Sequence, residues 1–169
     1  MSMAPTVTRR LPRRHLLIAL LVVVLLFAFA FVCVSLVRVG HTLLVNADLF
    51  EAVSRRDPVA VKRLLRQVAN TEARPGGLAG GTPLMWATEL SDIATMQVLL
   101  EHGANVNARE NHGRTALMGA TDLRAAQLLI QCGADVNNRD HDSQTALSEA
   151  QRFGRKALAQ LLKKHGARE

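Results

Sequence analysis

Six histidines and two cysteines are the side chains best equipped for chemistry in this chain, and their spacing limits what they can do. His15 and His41 flank a long apolar run, His102 and His165 each stand one residue before a glycine, and His112 and His141 sit in polar, turn-like stretches. Such intervals do not provide the close pairs of an HExxH enzyme or a Cys/His zinc site. His112 and His141 could approach one another on neighbouring turn tips, but surface tips lack the second shell that holds metal ligands in place. Cys33 lies in the apolar run and Cys132 in the polar part, with no CxxC pair, so no disulfide scaffold, zinc motif or redox motif arises. Cys132 has no flanking cluster of cations to activate its thiol and reads as a small residue at a helix end. Gly76-Gly77 and Gly80-Gly81 are too sparse to cradle phosphate and read as a flexible loop. No G-x-S-x-G, G-x-G-x-x-G or phosphate-loop motif is present. The expectation is a protein that is not an enzyme, with no catalytic residues, cofactor, metal or small-molecule substrate.

Charge and aromatic content narrow the partners. The formal charge is +7, but Arg9, Arg10, Arg13, Arg14 and Arg38 supply five of those charges. Residues 46 to 169 carry 16 basic and 14 acidic groups and are nearly neutral. Phe27, Phe29 and Phe31 fall in the apolar run, leaving Phe50, Trp86 and Phe153 as the aromatics elsewhere. Neither a polybasic face nor a stacking platform for nucleic acid results.

From Leu16 to Val37 the chain reads LLIALLVVVLLFAFAFVCVSLV, 22 residues without a charge. As a helix this run spans about 33 Å, against a hydrocarbon core of about 30 Å. The arginines crowd its N-terminal side, so the positive-inside rule predicts a cytoplasmic tail and a non-cytoplasmic remainder. Two rival readings exist. A cleaved signal peptide could use Ala28-Phe29-Ala30 as its processing site, although the apolar run continues for seven residues past Ala30. Lipoprotein processing at Cys33 lacks a small-residue approach, and Thr8-Arg9-Arg10 lacks the apolar continuation of a twin-arginine signal.

The remainder is repetitive. Thr82-Pro83-Leu84-Met85, Thr115-Ala116-Leu117-Met118 and Thr145-Ala146-Leu147-Ser148 recur at intervals of 33 and 30 residues. Each is followed 18 or 21 positions later by a Gly-Ala pair, at Gly103, Gly133 and Gly166. These blocks resemble the ankyrin repeat, with its T-P-L-H-x-A-A start, a helix-turn-helix ending in L-L-x-x-G-A, then D-V-N and a turn. Upstream, LFEAVSRRDPVAVKRLLRQVAN reads as a degenerate first copy, with Val68 where glycine would stand. The resemblance implies an all-α ankyrin-repeat solenoid of about four helix-turn-helix units after one transmembrane helix. The resulting division is a basic tail at 1–15, a transmembrane signal anchor at 16–38, a linker at 39–46 and an ankyrin domain at 47–169. Its repeats fall at about 47–78, 79–112, 113–142 and 143–169.

Local physics supports those units. Thr82, Thr115 and Thr145 can cap a helix, and Pro83 suits the first helical position. Ala52, Ala87, Ala120 and Ala150 recur at one phase, where a small side chain admits a second helix. Leu99, Leu129 and Leu162 fill the space between neighbours, the glycines supply left-handed helix ends, and Val106 and Val136 begin extended segments. Single units cannot bury their apolar faces, so stability comes from stacking, with the cation-rich last unit as a soluble cap. Met85, Met118 and Ser148 replace the family's histidine, which hydrogen-bonds across the repeat, so the resemblance predicts that this bracing bond is absent and the units less rigid. The third unit is three residues short, which predicts a loss at the turn after Thr121-Asp122 and a shortened or distorted helix pair. TEARPGGLAGG predicts a mobile loop in place of a formed hairpin.

In ankyrin-like folds partners dock on hairpin tips and on the exposed side of the first helices. Position by position, the resemblance points to Arg109, Glu110, Asn111, His112 and Arg114 in one tip and Arg139, Asp140, His141, Asp142 and Gln144 in the next. On the helix side it points to Glu89, Leu90, Arg152 and Phe153. Trp86 reads as core or as a groove wall, with core favoured for a large aromatic at this helix phase. The expected function is a membrane-anchored interaction module or scaffold binding a protein partner. The low-aromatic, Ala/Arg/Leu-rich composition is compatible with a bacterial inner-membrane protein whose repeats face the periplasm. The alternatives are a cleaved, exported soluble binder or effector, and an unrecognised hydrolase.

Overall fold

A computed structural model of the chain describes residues 13–67, 69–74 and 80–168, those at 13–26, 36–39 and 41–43 by backbone alone. Eight α-helices follow one another: α1 Arg13–Ser54, α2 Pro58–Gln67, α3 Pro83–Glu89, α4 Ile93–Glu101, α5 Ala116–Gly119, α6 Leu123–Gln131, α7 Ala146–Arg152 and α8 Lys156–Lys164. No strand occurs among the described residues. The chain divides into two compact units, Met1–His41 and Thr42–Glu169.

In the first unit, the side chains from Phe27 to Val34 are all exposed, with Phe27, Phe29 and Phe31 at 73%, 69% and 74%. Eight consecutive helical residues cover every face, so this stretch of α1 is apolar all round. Among the described residues, no helix is long and apolar enough to cross a membrane. Most of the expected span at 16–38 falls outside the described side chains. Residues 39–46, expected as a linker, are helical within α1.

The second unit is a two-layer stack. α3, α5 and α7 form one layer and α2, α4, α6 and α8 the other, each first helix packing on its own second helix and on the next first helix. The buried seam runs from Val45 and Leu49 through Leu84, Met96, Leu99 and Leu129 to Leu147 and Leu162. Ala87, Ala120 and Ala150 are buried within it, and their small size permits the close approach of neighbouring helices. Gly103, Gly133 and Gly166 end the second helices at φ +82°, +88° and +86°, the left-handed geometry that glycine adopts without a Cβ penalty.

Asparagines stitch each loop to the next unit. Asn107 donates from Nδ2 to the Gly133 carbonyl at 3.0 Å and accepts the Asp135 amide at 2.8 Å. Asn137 does the same one unit on, to the Gly166 carbonyl at 3.2 Å and from the Arg168 amide at 2.9 Å. Upstream, Glu72 takes the acceptor half of this role from the Asn105 amide at 2.8 Å.

Several expectations need correction. Thr82 and Thr145 accept the amides of Met85 and Ser148 at 3.4 and 3.1 Å, but Thr115 makes no side-chain cap bond. The residues in the histidine's place act locally: Met85 Sδ accepts the Thr82 amide at 3.5 Å, and Ser148 Oγ accepts the Thr145 amide at 2.9 Å. Sulfur and hydroxyl acceptors at the third helical position complete a capping box. Val106 and Val136 lie within turns closed by Ala108 N–H to Asn105 C=O and Asn138 N–H to Asp135 C=O, not in extended segments. The three-residue loss falls before Thr121 and shortens α5 to four residues, leaving α6 at nine, the length of α4 and α8. Arg155 of the last unit reaches back to the Ala120 carbonyl at 3.4 Å, donating to a backbone group just beyond the truncated helix. The expected mobile loop lies partly outside the described residues, as does Val68.

Candidate functional site

The two tip segments are hairpin-like turns of one design. Glu110 N–H bonds the Arg114 carbonyl and Gly113 N–H the Glu110 carbonyl; Asp140 with Gln144 and Ser143 with Asp140 repeat the pattern. Glu110 Oε1 accepts the His112 and Arg114 amides at 3.0 and 3.3 Å, and Asp140 Oδ1 accepts those of Asp142 and Gln144 at 3.0 and 2.8 Å. These two acids are therefore occupied in shaping their own turns. The tips stack through His141 N–H to the His112 carbonyl at 2.9 Å. Arg109 adds guanidinium bonds to the Arg139 carbonyl and to Asn138 Oδ1, while Arg74 donates to the Arg109 carbonyl at 2.9 Å. Arg139 donates to the Ser143 carbonyl at 3.0 Å, and Asn111, His112, His141 and Asp142 are exposed.

Behind the first tip lies a cavity of about 250 Å³. α3 lines it with Trp86 and Glu89, the hairpin with Glu110, His112 and Arg114, and α5 with Gly119. Trp86 is 40% exposed, which corrects the expectation that it packs in the core. Phe50 holds its ring in a T-shaped contact, centroids 5.8 Å apart and planes at 73°, leaving indole surface toward the cavity. On the far side of Arg114 lies Glu149, a buried carboxylate facing the guanidiniums of Arg114 at 4.0 Å and Arg152 at 3.7 Å. At the end of α7, Phe153 is exposed beneath the guanidiniums of Arg152 and Arg155, 4.7 and 4.9 Å from its centroid. Leu90 caps α3 and packs, half-buried, against the core.

Among the candidates named from sequence, Glu89, Glu110, His112 and Arg114 converge on the cavity, whereas Arg152 and Phe153 sit at the last unit. Arg139, Asp140, His141, Asp142 and Gln144 form the second tip. Trp86, Gly119 and Glu149 were not among the partner candidates. All three hold the same phase, the residue before the recurring alanine, and that column of the repeat was the signal available. No group of three or more His, Cys, Asp or Glu residues is placed to hold a metal among the described residues.

A family model describing ankyrin repeats in three copies matches residues 49–140. The chain belongs to the ankyrin repeat family. α7 and α8, beyond that matched segment, form a further helix pair stacked on α5 and α6. One curated relative, "Putative E3 ubiquitin-protein ligase XBAT34" of Arabidopsis thaliana, is 34% identical over 89 residues. That match covers 50% of this chain and 22% of the relative, so the likeness spans about a fifth of the plant protein. Helical hairpins of this family form interaction surfaces, and the groove between α3, α5 and the first tip is where this chain presents its exposed tryptophan.

Proposed function

We propose that this chain is a membrane-anchored ankyrin-repeat module that binds a protein partner along the groove between its first helices and its stacked hairpin tips, without catalysing a reaction. The observation that carries the reading is Trp86: a half-exposed aromatic wall, braced by Phe50, opening on a cavity rimmed by polar side chains. Interface hot spots favour this arrangement, an aromatic anchor within a polar rim. Tips tied together by Arg109 and by the His112–His141 backbone bond give a partner a pre-ordered surface, which lowers the entropic cost of docking. The candidates Glu89, Leu90, Arg152 and Phe153 extend the same surface along the first helices.

Anchoring is supported by the 22-residue uncharged run and by the all-round exposure of Phe27 to Val34, a surface that water solvates poorly. The arginine cluster at residues 9–14 orients the N-terminus to the cytoplasm and the repeats to the opposite side, the periplasm if the membrane is a bacterial inner membrane. Confinement to one surface raises the effective concentration of the module toward membrane-associated partners.

The test is in-cell photocrosslinking from position 112 of the full chain, combined with carbonate extraction of membranes. The expected result is a discrete adduct lost in Trp86→Ala, with the chain retained in the membrane pellet. A chain that forms no adduct overturns the groove as a binding surface, and release into the soluble fraction overturns the anchor in favour of the exported binder.

A further inference from the structure

We infer that the cavity between α3 and α5 receives one cationic side chain, lysine or arginine, of the bound partner; the inference rests on the interaction-module reading above. Three features of the cavity select that chemistry. Trp86 offers indole surface, and a cation over an indole face is drawn by the ring quadrupole. Glu89 lies three residues further along α3, on the same helix face, and its carboxylate has no hydrogen-bond or ion-pair partner among the described residues. Gly119 leaves the α5 side of the cavity open.

Gly119 is not held there by crowding. A Cβ built on it would meet Glu89 Cγ at 3.6 Å and Oε1 at 3.9 Å, ordinary contact, and its φ is not in the left-handed region. Glycine is also a poor residue for a helix as short as α5. What glycine provides is volume directly beside the Glu89 carboxylate.

The charge balance points the same way. Two carboxylates, Glu89 and Glu110, line the cavity against the Arg114 guanidinium and the His112 imidazole; Glu110 is held by its own turn, Arg114 also faces Glu149 at 4.0 Å, and Glu89 is left as the carboxylate open to a guest. An anionic guest would face the Glu89 carboxylate. An aliphatic guest would strip water from that carboxylate without pairing it. A lysine or arginine lays its methylene stem along Trp86 and its charge against Glu89.

Trp86 is the only tryptophan in the chain, so its fluorescence reports on this cavity alone. The full chain in detergent micelles is titrated with N-acetyl-arginine amide, N-acetyl-lysine amide, N-acetyl-leucine amide and N-acetyl-glutamate amide at constant ionic strength. The expected result is saturable response to the two cationic probes, at least tenfold tighter than to the leucine amide. Glu89→Gln weakens the cationic probes at least fivefold with far-UV circular dichroism unchanged, and Gly119→Leu abolishes saturation by filling the space. Equal or tighter binding of the leucine or glutamate amide, or an arginine response untouched by Glu89→Gln, overturns the inference. Glu89 is exposed and unpaired, so its variant stays informative even if Gly119→Leu fails to fold. Crosslinking at position 112 without a cation preference in the titration defeats this pocket and leaves the module reading standing. A cation preference without any crosslinked partner does the reverse.

Discussion

Gly113→Ala should destabilise the repeat unit by about 2 kcal/mol, the sum of two contributions of similar size. Gly113 sits at φ +79°, where a Cβ crowds the following carbonyl. That crowding costs about 1–2 kcal/mol, partly offset because alanine narrows the unfolded ensemble by about 0.4–1 kcal/mol, leaving about 1 kcal/mol of net strain. The new Cβ would also stand 2.8 Å from an Arg109 guanidinium nitrogen and 2.8 Å from His141 Cδ2. Both are ends of flexible side chains and can move, but Arg109 then surrenders its bonds to the Arg139 carbonyl and to Asn138. Those bonds are exposed, which brings their loss below the roughly 1.5–3 kcal/mol typical of a charged donor, to about 1 kcal/mol. Arg109→Ala alone should therefore cost about 1 kcal/mol, and Arg109→Ala/Gly113→Ala about 2 kcal/mol, because the double variant loses the same bonds once. The assay is urea unfolding of the full chain in micelles, followed at 222 nm, with the midpoint lowered by about 1 M urea for Gly113→Ala. Single costs that add to about 3 kcal/mol in the double variant would refute the shared-contact argument. A Gly113→Ala protein as stable as the parent would refute the strain.

Ser143 occupies the equivalent position of the next hairpin at φ +61°, where serine bears the strain that Gly113 avoids. Ser143→Gly should stabilise by about 0.5–1 kcal/mol in the same urea experiment, and a loss of stability would show that the serine side chain outweighs its backbone strain. Asn107→Ala removes both bonds between its loop and the next unit and should cost about 1–2 kcal/mol. Hydrogen exchange at the Asp135 amide should accelerate in that variant, and Asn107→Asp, which keeps the acceptor, should restore protection there but not the bond to the Gly133 carbonyl.

The features readable from sequence were those set within a few residues. Threonine before Pro83 or Ala146 starts a helix, and a Gly-Ala pair ends one, because capping and left-handed φ depend on local backbone geometry alone. Recurrence of these signals disclosed the period, and the recurring alanines disclosed the side on which helices meet. Glu89, Glu110, His112 and Arg114 are legible as candidates because each stands at a tip or helix position that ankyrin partners use. Aromatic size predicts burial of Trp86, because large rings are buried on average. Its exposure depends on what the stacked units leave around it, a cavity that Gly119, 33 residues later, lines from α5.

By itself, then, the sequence determined the helical units, their glycine ends, the caps at Thr82 and Thr145, and the apolar run ahead of them, since each is encoded by neighbours in the chain. Tertiary structure decided where the deletion in the third unit is absorbed, which arginines are committed to carbonyls, and how Glu149 comes to be buried beside Arg114. Those outcomes turn on contacts across 30 or more residues, from Arg109 to Arg139 and from Ala120 to Arg155. Such contacts exist only once neighbouring units have stacked and their register brings distant side chains face to face.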